Sequence, residues 1–374
     1  MTNIILHIGG EKTGTTSLQA ALTKNARLLF NRSGLLYPTD RPFFDHNGHF
    51  PLAGAFLDRS ASEFLHSHLR RPPDALHRAL DSLIARRHPK TVVFSAEHFS
   101  SRYRRPQLVK LAEFLSPHPV TVVFYVRAQD ELALSAFGSG LMAGERRWFH
   151  PDAVKVDNRY FNHSLVADDW AAAFGAGNLR VRSYADLGED SLPVDFLAQA
   201  GLTDPPRLES VPRLNQTISI FEARLLQAVN RHLPNWTEAL AAGDEAKYRA
   251  AQRMRSHLLE VLREGTSAPE SQSLHALMRP ADRARIRERF AAANRSLAEK
   301  YGARIPESAP PAAGAETVDE FDIAPPAIIE LVVALLRQNA IKDGAIDWLY
   351  QRTPEAWVKS VPRLMKAALN RVRR

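Results

Sequence analysis

The chain has 374 residues, 45% hydrophobic and 24% charged, a balance that suits one large globular domain or two ordinary ones. That excludes a mostly disordered chain, a collagen-like repeat and a coiled-coil rod, and the lack of cysteine removes disulfides, thiolate metal sites and a cysteine nucleophile. Forty-nine Lys and Arg against forty-one Asp and Glu leave a formal charge of +8, which favours anionic partners without naming them.

Met1-Thr2-Asn3 runs directly into Ile4-Ile5-Leu6, without the basic region and long apolar core of a signal peptide. No window approaches the length of apolar sequence that spans a bilayer, so the expectation is a soluble cytoplasmic protein. Four β-branched or aromatic runs, Asn3–Ile8, Thr91–Ser95, Val120–Val126 and Leu179–Ser183, read as strands. The third, VTVVFYV, is apolar almost throughout, as a strand covered on both faces should be. Helical spacing begins at Thr15, spans about Pro106–Leu115, and resumes after Gln129 with Leu134, Phe137 and Leu141. Strands alternating with helices predict a three-layer α/β fold around a central parallel sheet.

The second half reads as helical, over 219–233, 244–263 and 280–301. The last segment carries Ile286, Phe290, Ala293, Leu297 and Tyr301 on one stripe, with Gly302 as its C-cap. The expected organisation is a domain over 1–302, a Pro/Ala-rich linker over 303–326 and a C-terminal helical segment over 327–374. Within that segment an apolar helix is expected at Ile328–Leu336. A basic amphipathic tail over 354–374 combines Trp357, Val361, Leu364, Ala368 and Val372 with six Lys and Arg. Docking of the tail on its own domain is the favoured reading; peripheral contact with an anionic membrane face is the alternative. Nucleic-acid binding is not expected, since no recognised fold motif accompanies the charge.

ILHIGGEKTGTTSLQAAL reads as a strand, a glycine-bearing turn and a helix start, an arrangement that aims backbone N–H groups at an anion. Gly9 and Gly14 have the spacing of the nucleoside-triphosphatase P-loop, but Thr15 stands where that motif needs Lys, and the lysine is Lys12. Lys-Thr-Gly-Thr-Thr-Ser-Leu-Gln after an N-terminal strand resembles the 5′-phosphosulfate loop of sulfotransferases that use 3′-phosphoadenosine 5′-phosphosulfate (PAPS), in its bacterial and carbohydrate-type form. The resemblance implies a P-loop-like turn in which Lys12 neutralises the leaving phosphate. Thr13, Gly14, Thr15, Thr16 and Ser17 would then hold the 5′-phosphate.

The same family pairs an Arg at a strand end with a Ser eight residues on, for the 3′-phosphate. Arg127 and Ser135 in VTVVFYVRAQDELALS match that spacing. Tyr184 in LRVRSYADL resembles the adenine-side tyrosine, with Ala185 where the family often has Glu. RLNQT (213–217) resembles a recurrent segment of bacterial members, although Asn215 or Thr217 as a helix N-cap is the favoured reading. The late Arg-Lys-Gly lid segment of the cytosolic branch has no match here. For the base, Glu97 at the end of TVVFSAE resembles the place of the base in the cytosolic branch and is preferred; His98 is second, and strand alternation points the two apart. The 40–49 region holds Asp40, Asp45, His46 and His49, where the resemblance to carbohydrate branches implies acceptor contact, expected through His46 or His49, with no metal.

Together these imply a sulfotransferase that moves a sulfuryl group from PAPS to a hydroxyl, on a carbohydrate or glycolipid acceptor, releases the desulfated nucleotide PAP and needs no metal. A P-loop nucleotide kinase or triphosphatase, and a non-catalytic PAP-binding protein, are the competing readings.

Overall fold

The computed structural model describes residues 1–187, 192–211, 218–265 and 273–306. Five strands form one all-parallel sheet: β1 (Asn3–His7), β2 (Leu35–Leu36), β3 (Thr91–Ser95), β4 (Val120–Val126) and β5 (Leu179–Ser183), in the order β2-β3-β1-β4-β5. β1 is pinned on both sides, with Ile5 opposite Val93 of β3 and Thr121 of β4. Strand alternation then sorts the side chains into two cores. Ile4, Leu6, Val92, Phe94, Val122 and Phe124 enter one, and Ile5, Val93, Val123 and Tyr125 the other.

Helices Arg105–Leu115 and His163–Phe174 cover the first face through Leu108, Leu111 and Trp170. Helices Thr15–Lys24, Ala26–Ser33 and Leu192–Gln199 cover the second through Leu18, Leu22, Leu29 and Phe196. This is the expected three-layer arrangement, and burial on both faces is why β4 reads as nearly continuous apolar sequence. The helix that follows β1 lies on one face and Arg105–Leu115, after β3, on the other. The crevice between the carboxyl ends of β1 and β3 is therefore a topological switch point, where open α/β sheets take ligands.

The sequence reading lacks β2. Gly34 closes Ala26–Ser33 at φ +70°, and Leu35 and Leu36 then pair with Thr91 and Val92. Two leucines carry no alternation, so only the neighbouring strand makes them a strand.

The described residues fall into two compact units. The first holds 1–136 and the described parts of 151–216 and 280–310, and it carries the sheet. The second holds 137–150 and the described parts of 217–279. It is helical, with Ile220–Asn230 and Glu245–Gly265 packed through Leu226, Val229, Met254 and Leu258. Capping boxes start two of its helices, Ser219 with Glu222 and Asn235 with Glu238. The RLNQT segment, the apolar helix at 328–336, the basic tail and the linker from 307 onward lie outside the described residues. No helix among the described residues is long and apolar enough to cross a membrane.

Three histidines are packed inside the first unit, His7, His49 and His163. Burial lowers their pKa from 6.5 to about 3 for His7 and His49, and to about 4 for His163. In the unfolded chain each binds a proton near its ordinary value, so stability is full above that value and is lost as pH falls towards the folded pKa. Each contributes a slope of up to about 1.4 kcal/mol per pH unit in that window. Urea denaturation should show stability falling steeply from pH 6.5 to pH 5, and less steeply in His163→Gln. A flat profile over that range would mean that the folded rings titrate like free ones.

Candidate functional site

β1 ends at His7, and the chain turns through Gly9–Gly14 before helix Thr15–Lys24 begins. Gly9, Lys12 and Gly14 take left-handed backbone, with φ of +42°, +67° and +78°. For a non-glycine such as Lys12 that conformation costs roughly 1–2 kcal/mol, which the surrounding bonds must offset. The Gly10 N–H donates to the Tyr125 carbonyl of β4 at 2.9 Å. The Thr13 N–H and hydroxyl both donate to the Gly10 carbonyl, at 3.3 and 2.6 Å, and the Thr15 hydroxyl reaches it at 3.4 Å. A Cβ on Gly10 would lie 2.5 Å from the Tyr125 oxygen, so the two backbones approach only because position 10 has no side chain.

The turn opens a helix N-terminus. The Leu18 N–H donates to the Gly14 carbonyl at 3.0 Å, and the first-turn amides of Thr15, Thr16 and Ser17 precede that bond. Together with the positive end of the helix they make an anion cradle. Of the hydroxyls expected to hold a phosphate, those of Thr13 and Thr15 are buried and turned to the Gly10 carbonyl. Thr16 and Ser17 stand half-buried in the first turn.

Arg127 reaches this loop from β4. Its Nη1 donates to the Lys12 carbonyl at 3.1 Å and its Nε to Glu131 Oε2 at 2.7 Å. Its own carbonyl accepts from Nε2 of His163 at 2.8 Å, which fixes that ring's tautomer. Ser135 lies in helix Gln129–Ala143, four residues past Glu131, so the two share one helix face. From β5, Tyr184 packs against the loop, with its ring edge 3.1 Å from where a Cβ on Gly14 would stand.

The carboxyl end of β3 supplies Glu97 and His98. Burial raises the pKa of Glu97, and the charge of Glu11 raises it further. The nearby Lys12 charge and a 3.4 Å bond from Gln19 Nε2 act the other way but do not cancel the rise. Gln19 Nε2 also donates to the Ser95 carbonyl and to its hydroxyl, both at 3.2 Å, and that hydroxyl is 2.7 Å from His7 Nδ1. His98 stacks on Phe64 with ring centroids 3.6 Å apart and meets Phe50 edge-on at 5.3 Å. Burial lowers its pKa to about 4, so it is neutral at pH 7.

Sequence reasoning missed Glu11. Burial alone would raise its pKa, but His98, Ser101, Arg102 and Tyr160 outweigh that and hold it below the ordinary value. The Tyr160 hydroxyl donates to Glu11 Oε2 at 2.9 Å. Gln19 lies inside the recognised motif, and only the fold shows what it touches. Tyr160 and His163 had no sequence signal.

His46 and His49 do not join this cluster. His49 is fully buried, its Nδ1 accepts from the Ser95 N–H and its Nε2 donates to the Pro38 carbonyl, both at 3.0 Å. With both nitrogens committed to backbone, this ring has none left for an acceptor, which corrects the sequence expectation for His49. His46 is exposed and pairs with Asp45 at 3.0 Å. Among the described residues no group of three or more His, Asp or Glu comes together as a metal site.

No protein-family model matches the chain, and no curated protein does. Among solved structures it is similar to a sulfotransferase from Alicyclobacillus acidocaldarius, at 15% identity over 56% of this chain and 85% of that one, with a TM-score of 0.39.

The contact between Gly10 and β4 can be tested directly. Gly10→Ala should destabilise the chain by about 1–3 kcal/mol, because neither backbone can yield to the new carbon. Gly177→Ala, whose Cβ would meet nothing within 4 Å, is the control and should be neutral or stabilising by up to about 1 kcal/mol. Equal denaturation midpoints for the two variants would show that the loop does not lean on β4.

Proposed function

We propose that the chain is a PAPS-dependent sulfotransferase acting on a hydroxyl of a carbohydrate or glycolipid. The observation that carries this reading is the bond from Arg127 to the Lys12 carbonyl. It joins the two halves of the motif, 115 residues apart in sequence, at one loop. The residues present suit the donor: a first-turn amide cradle for the 5′-phosphate, a lysine at its rim, and an arginine fork beside it for a second phosphate. Tyr184 offers a ring on the β5 side of the cradle. PAPS, when bound, supplies the sulfuryl group, and its sulfur–oxygen bond breaks as the acceptor oxygen bonds to sulfur. Lys12 meets the negative charge that gathers on the departing phosphate. Glu97 takes the acceptor's proton, and its raised pKa makes it a stronger base than a free glutamate. The second candidate, His98, is neutral but wedged against Phe64, and Glu97 is preferred.

The kinase or triphosphatase reading needs a cation at position 15. Thr15 stands there, with its hydroxyl turned to the Gly10 carbonyl. The non-catalytic reading differs only in the role of Glu97.

Calorimetric titration of PAP, ATP and AMP into wild type and Arg127→Ala tests the donor site. PAP should bind tightly, ATP and AMP weakly, and the variant should lose PAP affinity about tenfold or more. Equal binding of ATP and PAP, or an unaffected variant, would remove the reading's main support. A second experiment addresses the base. Glu97→Gln should keep PAP affinity while sulfuryl transfer from labelled PAPS falls about 10²–10⁴-fold. The base must be ionised, so wild-type activity should switch on as pH rises through a value above the ordinary 4.5, and that limb should vanish in the variant. Transfer at wild-type rate in Glu97→Gln would rule Glu97 out as the base.

A further inference from the structure

A groove of about 580 Å³ opens at the β2 edge of the sheet, within the first unit. Its rim carries four exposed arginines from three segments: Arg27 in helix Ala26–Ser33, Arg41 after β2, and Arg86 and Arg87 in helix Pro73–Arg87. Asp40 is the one carboxylate among the lining residues, so the rim holds four positive charges against one negative. Two of the arginines are held in place. The Arg87 guanidinium lies over the Phe30 ring, 5.2 Å from its centroid, and Arg86 Nε donates to the Ser82 carbonyl at 3.2 Å.

A charge run on one helix is ordinarily a solvated face. Here separate segments bring like charges around one concavity of ligand size, which raises their mutual repulsion. An anionic ligand would reverse that sign. The lining also carries the Asn31 amide, the Thr39 and Ser82 hydroxyls and the Asp40 carboxylate, which are partners for neutral hydroxyl groups.

We propose that this groove binds an acidic oligosaccharide, with the arginines forking onto its sulfate or carboxylate groups and the neutral polar side chains taking its hydroxyls. A nucleic-acid strand fits less well, because it needs exposed rings on which bases stack. Tyr37 and Phe43 in the groove are only 1% and 2% exposed, and Arg87 lies over Phe30. Binding here is independent of the donor-site reading, since none of these residues belongs to the loop after β1 or to Arg127.

The test is calorimetric titration of the full chain with a fully sulfated heparin tetrasaccharide, its desulfated counterpart and a twelve-residue oligothymidylate. The sulfated sugar should bind. The desulfated sugar, and the double variant Arg41→Gln/Arg86→Gln with the sulfated one, should each lose about tenfold or more. The substituted side chains are exposed, so the double variant should melt with wild type, and Arg127→Ala should bind the sugar as wild type does. No binding of the tetrasaccharide, an unaffected double variant, or loss of binding in Arg127→Ala would each overturn the proposal. Tighter binding of the oligothymidylate that the double variant abolishes would overturn it in favour of nucleic acid.

Discussion

The site depends on one close approach, the Gly10 N–H against the Tyr125 carbonyl. The rung before it, from the Ile8 N–H to the Val123 carbonyl at 3.0 Å, continues the pairing of β1 with β4 beyond the end of β1. The loop therefore inherits the register of β4 while it turns, and Arg127, two residues past Tyr125, arrives at the Lys12 carbonyl. On the β3 side the Ser100 hydroxyl donates to the Gly9 carbonyl. Pinned from both neighbours, the loop can hold Lys12 in a left-handed conformation that an unsupported chain would leave.

That geometry divides the charges around Lys12. Two glutamates approach one another there, and like charges at short range cannot both stay ionised at equal ease. Glu11 gathers Tyr160, Ser101 and Arg102 and lies below its ordinary pKa, whereas for Glu97 burial prevails and the pKa rises. Two carboxyl groups pushed in opposite directions are the pattern that separates a permanent charge from a proton carrier. Burial of His7 and His98 keeps both rings neutral at pH 7. In the proposed reaction the positive charge that meets the donor's phosphates is thus left to Lys12, Arg127 and the helix end.

Where the chain speaks locally, the sequence was legible. β3, β4 and β5 fall on the residues that their apolar runs mark out, and helix Gln129–Ala143 begins where its spacing begins. β2 was illegible because two leucines have no period. Lys12 and Arg127 sit in motifs whose spacing can be read from the sequence, whereas Glu11 carries no such signal. Its partner Tyr160 is 149 residues away, and no local pattern encodes such a contact. His49 misled for the opposite reason. The family resemblance places it near an acceptor, but the fold gives both of its nitrogens to backbone groups inside the core.

The strand order explains why residues at positions 97, 12, 127 and 184 share one edge. All five strands run parallel, so every carboxyl end faces the same side, and β3, β1, β4 and β5 are consecutive neighbours. Glu97, Lys12, Arg127 and Tyr184 each follow one of those strands, so they form a row in that order although the chain visits them in another. Neighbouring strands are about 4.8 Å apart, which makes the row about 14 Å long. Inorganic phosphate would fill only the Lys12 position of such a row. An extended nucleotide could run from Lys12 past Arg127 towards Tyr184, and in the proposed reaction that leaves Glu97 at the end where the acceptor must approach. An antiparallel strand anywhere in this set would have sent its residue to the opposite edge, so the parallel topology is what brings four distant segments to one edge.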